Sequence, residues 1–450
     1  MSNRDLIVFI PGVLGSKLAR DGHQTWGYHS IVRSLHKLAS SLTENLSLPP
    51  EAFDHPREGY NDGTRAVGSL RTIGIIPGLF TIDGYDDLLA ALRRRFPSDA
   101  VIEFPYDWRQ SNEYTARLLQ ATIEPMLDRR RHDYPDARLV LLAHSMGGLV
   151  ARYYAECLDE RKLTRRIVTI GTPYCGAVKS LAVLANGSAA VGPWQLRIAE
   201  LMRSLPSVAE LLPTYACIGA SDNELHPLSE VIVRNLPTKC LERGLNFHAA
   251  INTAITQNGT QRPTYHAILS HRQPTVTWAS IEASGTVLAH APQDFADRGD
   301  GTVPRCSAVP PEWRDDAAAV FVAGRHAALQ QQREVLMQIQ GILTARPRTP
   351  MAAGDEIAVD AKNHVPPGEL WTIAAHSVER SNALVLTVTV SEPVTNEVLV
   401  SQPLRPVGDG RYEARLPWTQ LGLFRWQVHT TPLAATPIDP VGDVLLCAAE

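Results

Sequence analysis

No stretch of this 450-residue sequence approaches the roughly 20 consecutive apolar residues that a membrane-spanning helix needs, so nothing in it reads as a helical bilayer span. Basic clusters are absent too. Lys and Arg number 43 against 47 Asp and Glu, a net charge of −4, which argues against a nucleic-acid partner. Met1 to Asp5 carry no basic leader, long apolar stretch or small-residue cleavage site. The expected location is therefore the cytoplasm, unless a dedicated secretion machine exports the chain. The six cysteines, Cys157, Cys175, Cys217, Cys240, Cys306 and Cys447, are widely spaced and form no C-x-x-C pair. They are expected to be reduced and to act as small buried apolar residues. Histidines such as His248, His266, His271 and His290 show no H-E-x-x-H or comparable spacing, so neither a metal nor a cofactor is expected.

What is present centres on Leu139-Val140-Leu141-Leu142-Ala143-His144-Ser145-Met146-Gly147-Gly148-Leu149-Val150. The apolar run before His144 has the length and Leu/Val content of a strand buried on both faces. From Met146, Leu149, Val150, Tyr153 and Tyr154 recur at helical spacing. Ser145 thus occupies a strand-to-helix turn, the geometry of a nucleophile elbow, which needs small residues two places before and after the serine. Ala143 and Gly147 meet that need.

Upstream, Leu6 to Ile10 reads as a central strand leading into Pro11-Gly12-Val13-Leu14-Gly15-Ser16-Lys17-Leu18, whose glycines permit a loop with inward-facing N–H groups. In an acyl-transfer enzyme such a loop supplies one oxyanion donor and the residue after the nucleophile the other, here Val13 and Met146. From Ala19 to Phe80 the chain reads as irregular, with one helical stripe of Ile31, Val32, Leu35, Leu38 and Leu42. Trp26 is a candidate wall for an acyl pocket. Tyr85 to Phe96 reads as a helix, and Val101 to Phe104 as a strand ending in Pro105-Tyr106-Asp107-Trp108-Arg109, a rigid corner with Trp108 a second candidate wall. Asn112 to Arg131 is the helical crossover that a parallel βαβ unit requires.

Arg166 to Ile170 is the next strand, followed by Gly171-Thr172-Pro173-Tyr174-Cys175-Gly176, where Tyr174 is a third candidate wall. From about 177 to 264 the strand–helix alternation breaks, as expected of an inserted helical cap with a lid. Tyr265 to Leu269 and Ala317 to Val322 resume the sheet. Asp300, flanked by Gly299 and Gly301, and His326, after a strand end, complete the order Ser, Asp, His, which is that of α/β-hydrolases.

Residues 346–355 read as a Pro/Arg-rich linker. Beyond it short β patterns follow one another, among them Leu370 to Ala375, Leu384 to Val390 and Phe424 to His429, suggesting an immunoglobulin-like sandwich over 356–450. The expected architecture is thus an α/β-hydrolase domain over 1–345 and an all-β domain after it.

Taken together, the motifs Pro11–Leu18, Pro105-Tyr106-Asp107-Trp108-Arg109, Ala143-His144-Ser145-Met146-Gly147-Gly148, Gly171-Thr172-Pro173 and Gly299-Asp300-Gly301-Thr302-Val303-Pro304 resemble the lecithin:cholesterol acyltransferase family, with its lysosomal phospholipase A2 and bacterial lipase-like members. The resemblance implies an α/β-hydrolase core, a serine acyl-enzyme, a lidded cap and lipid ester substrates, with transient contact at a membrane surface. It also puts Val13 and Met146 where the family has its oxyanion donors. Two departures stand out. Secreted and lysosomal members close a loop near the N-terminus with a disulfide, whereas no cysteine precedes Cys157 here. The β domain lies outside the family core, leaving open a protein partner docked there. The alternatives are a soluble ester or thioester hydrolase, a catalytically silent scaffold, and a membrane-damaging effector restrained by a partner.

Overall fold

The computed structural model describes residues 4–27, 42–76, 80–187, 195–219, 224–292, 298–313, 319–344, 356–377, 383–430, 438 and 440–449. The linker expectation over 346–355 falls outside them, as does most of the stripe from Ile31 to Leu42.

Six strands form the central sheet: β1 (Leu6–Ile10), β2 (Val101–Glu103), β3 (Leu139–His144), β4 (Thr164–Ile170), β5 (Thr264–Ser270) and β6 (Val320–Val322). Their spatial order is β6-β5-β4-β3-β1-β2, and every pairing is parallel. β1 and β3 are wholly buried, which is why they read as unbroken apolar runs. Helix α1 (Asp86–Arg95) precedes β2, and α2 (Asn112–Arg130) is the crossover into β3. Ser111 caps α2, its side chain accepting from the Tyr114 N–H at 3.0 Å. The register pairs Ile10 with Ala143, His144 with Ile170 and Ser270 with Val322. The carboxyl ends of the strands therefore share one rim, where open α/β sheets bind ligands. This strand order with a serine turn after β3 is the α/β-hydrolase fold.

The described parts of the stretch from Ala19 to Phe80, 19–27, 42–76 and 80, are more regular than their sequence suggests. Strands Ser16–Arg20, His23–Trp26 and Thr64–Ser69 make an antiparallel sheet, and Gly74–Ile76 pairs with Phe80–Ile82. All are short, and those of the antiparallel sheet are largely exposed or half-exposed and interrupted by bulges, so they leave little apolar periodicity to read.

The cap also departs from its expected bounds. Helices α4 (Val178–Asn186) and α5 (Gln195–Arg203) belong to the insertion, and strands Ile218–Gly219 and Leu225–His226 join Trp278–Ile281 and Val287–His290, beyond residue 264, in one small sheet. Helix α6 (Thr238–Asn258), inside the expected cap, packs instead on the core, where Phe247 stacks on Tyr153 with ring centroids 5.5 Å apart. Among the described residues no helix is long and apolar enough to cross a membrane.

After Glu356 the described residues form nine strands: β7 (Ile357–Ala361), β8 (His364–Val365), β9 (Leu370–Ser377), β10 (Leu386–Ser391), β11 (Val398–Pro403), β12 (Arg405–Gly408), β13 (Arg411–Pro417), β14 (Gly422–Thr430) and β15 (Val441–Cys447). They form two sheets, β7-β9-β13-β12 and β8-β15-β14-β10-β11, around a core in which Trp371 meets Trp426 edge to face. This is the expected sandwich. β15 escaped prediction because it lacks alternation. Both its faces are buried, one in the sandwich and one, through Val444 and Leu446, against Ile73 and Ile75 of the α/β half.

The corner after β2 is architecture. Arg109 has no exposed side-chain surface and forks onto Asp107 and Asp62 at 2.7 to 3.0 Å, with Arg20 also on Asp62 at 3.0 Å. Burial raises the Asp62 pKa, but the hydrogen bonds and charge of Arg109 overcome it and bring it down to about 2. Removing one partner of a buried pair leaves charge uncompensated. Arg109→Met is therefore expected to cost about 3–5 kcal/mol in chemical denaturation at pH 7. Asp62 holds its charge in the folded state to lower pH than in the unfolded chain, so its contribution is present above pH 3.8 and lost as pH falls toward 2. The wild-type advantage over Arg109→Met should shrink across that window.

Candidate active site

Ser145 follows β3 directly and heads α3 (Gly147–Tyr153). Its φ is +52°, a left-handed conformation that a non-glycine residue adopts only under constraint. Three bonds supply part of that constraint. The Ser145 N–H donates to the Ile170 carbonyl at 2.8 Å, Thr172 Oγ1 donates to the Ser145 carbonyl at 2.9 Å, and the Gly148 N–H donates to the same carbonyl at 3.0 Å. Gly147 is needed for space, since a Cβ there would stand 2.4 Å from the Pro11 carbonyl oxygen and 2.5 Å from that of Ile10.

Asp300 and His326 arrive from the far side of the sheet. His326 Nε2 lies 2.8 Å from Ser145 Oγ, and its Nδ1 lies 2.6 Å from Asp300 Oδ2. All three residues are buried. The other carboxylate oxygen of Asp300 accepts from the N–H groups of Thr302 at 2.9 Å and Val303 at 2.7 Å, which fixes its plane. The two turns also bond directly, the His326 N–H donating to the Asp300 carbonyl at 2.8 Å. With Nδ1–H donating to the carboxylate, Nε2 is left as the acceptor for the serine hydroxyl.

Pro11–Gly15 comes up against the nucleophile from β1. A Cβ on Gly12 would lie 2.9 Å from that of Ser145. The loop closes as a turn in which the Gly15 N–H donates to the Gly12 carbonyl at 3.0 Å, with Leu14 at φ +63°. Val13 lines the cavity beside Ser145, and Met146, wholly buried, is the first residue after it.

A bond chain that sequence reading missed joins this loop to the histidine turn. The Gly12 N–H donates to Tyr85 Oη at 2.8 Å, Tyr85 Oη stands 3.0 Å from His144 Nδ1, and His144 Nε2 stands 3.3 Å from the His326 carbonyl. A carbonyl only accepts, so Nε2 of His144 carries the hydrogen. Burial, followed by the charge of His326, holds the His144 pKa well below its usual range, so the ring is neutral and Nδ1 accepts from the tyrosine. The glycine loop, the serine turn and the histidine turn are thus tied by one directional chain. The signal in the sequence was only an unexplained His before the serine.

The aromatic wall residues are corrected. Trp26, Trp108 and Tyr174 do not line the cavity at Ser145, whose described lining includes Val13, Phe80, Ile82, Leu211 and Val303. Trp26 Nε1 donates to the Leu14 carbonyl at 2.9 Å and Trp108 Nε1 to the Ser16 carbonyl at 3.3 Å. Tyr106 Oη donates to the Pro11 carbonyl at 2.9 Å, so these three rings brace the glycine loop. Tyr174 Oη pairs with Thr169 Oγ1 at 2.9 Å, and its ring lies under Arg152. A buried indole or phenol seeks a partner for its polar atom, and here the backbone and Thr169 supply one. The cavity beside Ser145 measures about 20 Å³, room for about one water.

Comparison with known proteins agrees with the motif resemblance. Residues 94–252, which contain the Pro105–Arg109 corner and the elbow, match the model of the lecithin:cholesterol acyltransferase family. Lysosomal phospholipase A and acyltransferase of Homo sapiens is 34% identical over 236 residues, 46% of this chain and 56% of that protein. Phosphatidylcholine-sterol acyltransferase of Gallus gallus is 36% identical over 207 residues, 40% of this chain and 48% of that protein. The chain thus spans about half the length of the curated relatives it matches. Among solved structures, Bacillus licheniformis lipase BlEst2 covers 99% of this chain and 74% of its own, at 12% identity and a TM-score of 0.33, too low to carry an argument.

The Tyr85 hydroxyl bridges the Gly12 N–H and the His144 ring. Tyr85→Phe is expected to keep the fold, as read by circular dichroism, and to lower kcat/KM on a soluble ester about 10-fold, equivalent to about 1.4 kcal/mol, within the range for a lost hydrogen-bonding hydroxyl.

Proposed function

We propose that this protein is a serine ester hydrolase and acyltransferase of phospholipase or lipase type, working through an acyl-enzyme on Ser145. The observation that carries the reading is the placement of one imidazole between two partners, Nε2 at 2.8 Å from the serine hydroxyl and Nδ1 at 2.6 Å from a buried carboxylate. His326 takes the Ser145 proton as Oγ attacks the ester carbonyl. Asp300 orients the ring and compensates the charge that forms on it. The N–H groups of Val13 and Met146 receive the oxyanion, each worth roughly 3–4 kcal/mol in the transition state. As the tetrahedral species collapses, His326 passes its proton to the departing alcohol. Water or a second alcohol then attacks the acyl-serine, with His326 as base again.

The lipid substrate class is supported by the family match over the elbow and by relatives named for phospholipase and acyltransferase activity. The apolar part of the cavity lining, Phe80, Ile82, Leu211 and Val303, suits an acyl chain. We assign the α/β-hydrolase unit to residues 1–345 and the sandwich to 356–450. We place the protein in a reducing, cytoplasmic setting, which suits thiols such as Cys157, Cys217 and Cys240.

Ser145→Ala is expected to lower ester turnover by a factor of roughly 10⁴ or more with the fold intact. Mass spectrometry of phospholipid vesicles incubated with wild type should show free fatty acid or a newly acylated alcohol beside the deacylated lipid, and none with Ser145→Ala. Turnover of short soluble esters with vesicles untouched would move the assignment to a soluble esterase. Equal products from both proteins would remove the serine mechanism.

A further inference from the structure

The histidine turn follows a short edge strand of the sheet. β6 has three residues and among the described residues pairs with β5 alone, so it holds its register poorly by itself. Catalytic side chains nevertheless need support to within about 0.5 Å. Within the α/β half, Ser270 Oγ donates to the Gly324 carbonyl at 2.6 Å and Gln330 Nε2 to the Gly84 carbonyl at 2.8 Å, and the sandwich adds contacts of its own.

Arg325 directly precedes His326. Its Nε lies 3.1 Å from Asp443 Oδ2 on β15, and its Nη1 donates to the Ala361 carbonyl at the end of β7 at 3.3 Å. The pair is largely buried, with side-chain exposures of 17% and 6%. The guanidinium also lies against the turn that carries Asp300, 3.3 Å from where a Cβ of Gly301 would be. Gln273 makes the matching link to the aspartate turn. Wholly buried, it donates its backbone N–H to the Gly299 carbonyl at 2.9 Å. Its side-chain amide imitates a strand neighbour for β7, donating to the Ile357 carbonyl and accepting from the Val359 N–H, both at 3.2 Å. Lys179 reports the same field. Burial and then Arg325 bring its pKa down to about 8, opposed by Asp443 and Asp300. Further along the histidine turn, Gln332 Nε2 donates to the Pro440 carbonyl at 3.3 Å, and Asp83, whose N–H donates to the Ala327 carbonyl, is paired with Arg425 of β14.

We propose that the C-terminal sandwich is a positioning element for catalysis: Asp443 acting through Arg325, and β7 acting through Gln273, hold the His326 and Asp300 turns at hydrogen-bonding distance from each other and from Ser145. This rests on the serine mechanism proposed above. Arg325, Asp443 and Gln273 are positioning residues, since none touches Ser145 Oγ or either reacting nitrogen of His326.

The test uses the full-length chain, a fluorophosphonate probe and p-nitrophenyl butyrate. Asp443→Asn and Arg325→Gln should each still bind one probe molecule per chain, but at a rate about 10- to 100-fold below wild type, as a misplacement of about 1 Å implies. kcat should fall by the same factor with KM within about twofold, and the double variant should be no slower than the slower single one, because the two act as a unit. Gln273→Leu, which reaches the aspartate turn from another strand, should give the same pattern and serves if either of the others does not fold. Wild-type labelling rates in the folded variants would overturn the proposal. So would fewer labelled chains with an unchanged rate per labelled site, the signature of a purely structural contact. The wild-type arm separates the two readings: if wild type is not labelled at Ser145, the serine mechanism itself fails.

Discussion

The whole arrangement depends on a serine held at positive φ in the turn between a buried strand and a helix. Such a conformation costs of order 1–3 kcal/mol and persists only where its surroundings over-determine it. Here they do. The Ser145 N–H and carbonyl are taken by Ile170 and Thr172, and the next turn can close on β1 only because Gly147 has no side chain. The reward is a hydroxyl projected above the sheet rim, where loops from three other strands reach it.

Those loops are not independent. Tyr106, Trp108 and Trp26 each donate a hydrogen bond to a different carbonyl of the glycine loop, and Tyr85 and His144 tie that loop to the histidine turn. The His326 N–H in turn binds the Asp300 carbonyl. A group moved at one corner is felt at the others through bonds with fixed direction, which is the physical content of a preorganised site. The sandwich extends this network outward. It has its own apolar core, yet it meets the α/β half with charged and amide groups beside the histidine and aspartate turns, and with apolar side chains on Ile73 and Ile75.

Much of this was readable in the sequence because it rests on local pattern. Buried parallel strands are apolar runs, an elbow needs small residues at set places, and an aspartate between glycines or a histidine after a strand carries its own signature. What escaped depends on contacts between distant residues. Nothing near Tyr85 reveals a partner 59 positions away at His144, and Gln273 resembles any polar loop residue until its amide meets β7. β15 was hidden because burial on both faces erased the alternation that marks the other strands. Trp26 and Trp108 were misjudged for a related reason: aromatic residues near a site suggest a substrate wall, while the geometry of their indole N–H groups makes them braces.

The most direct measurement is a crystal structure of the protein after reaction with a fluorophosphonate, whose phosphoryl group stands in for the tetrahedral species of ester cleavage. The account predicts phosphorus bonded to Ser145 Oγ, its phosphoryl oxygen about 2.7–3.1 Å from the N–H groups of both Val13 and Met146, and His326 still bound to Asp300. An adduct on another residue, or a phosphoryl oxygen turned away from both amides, would contradict it.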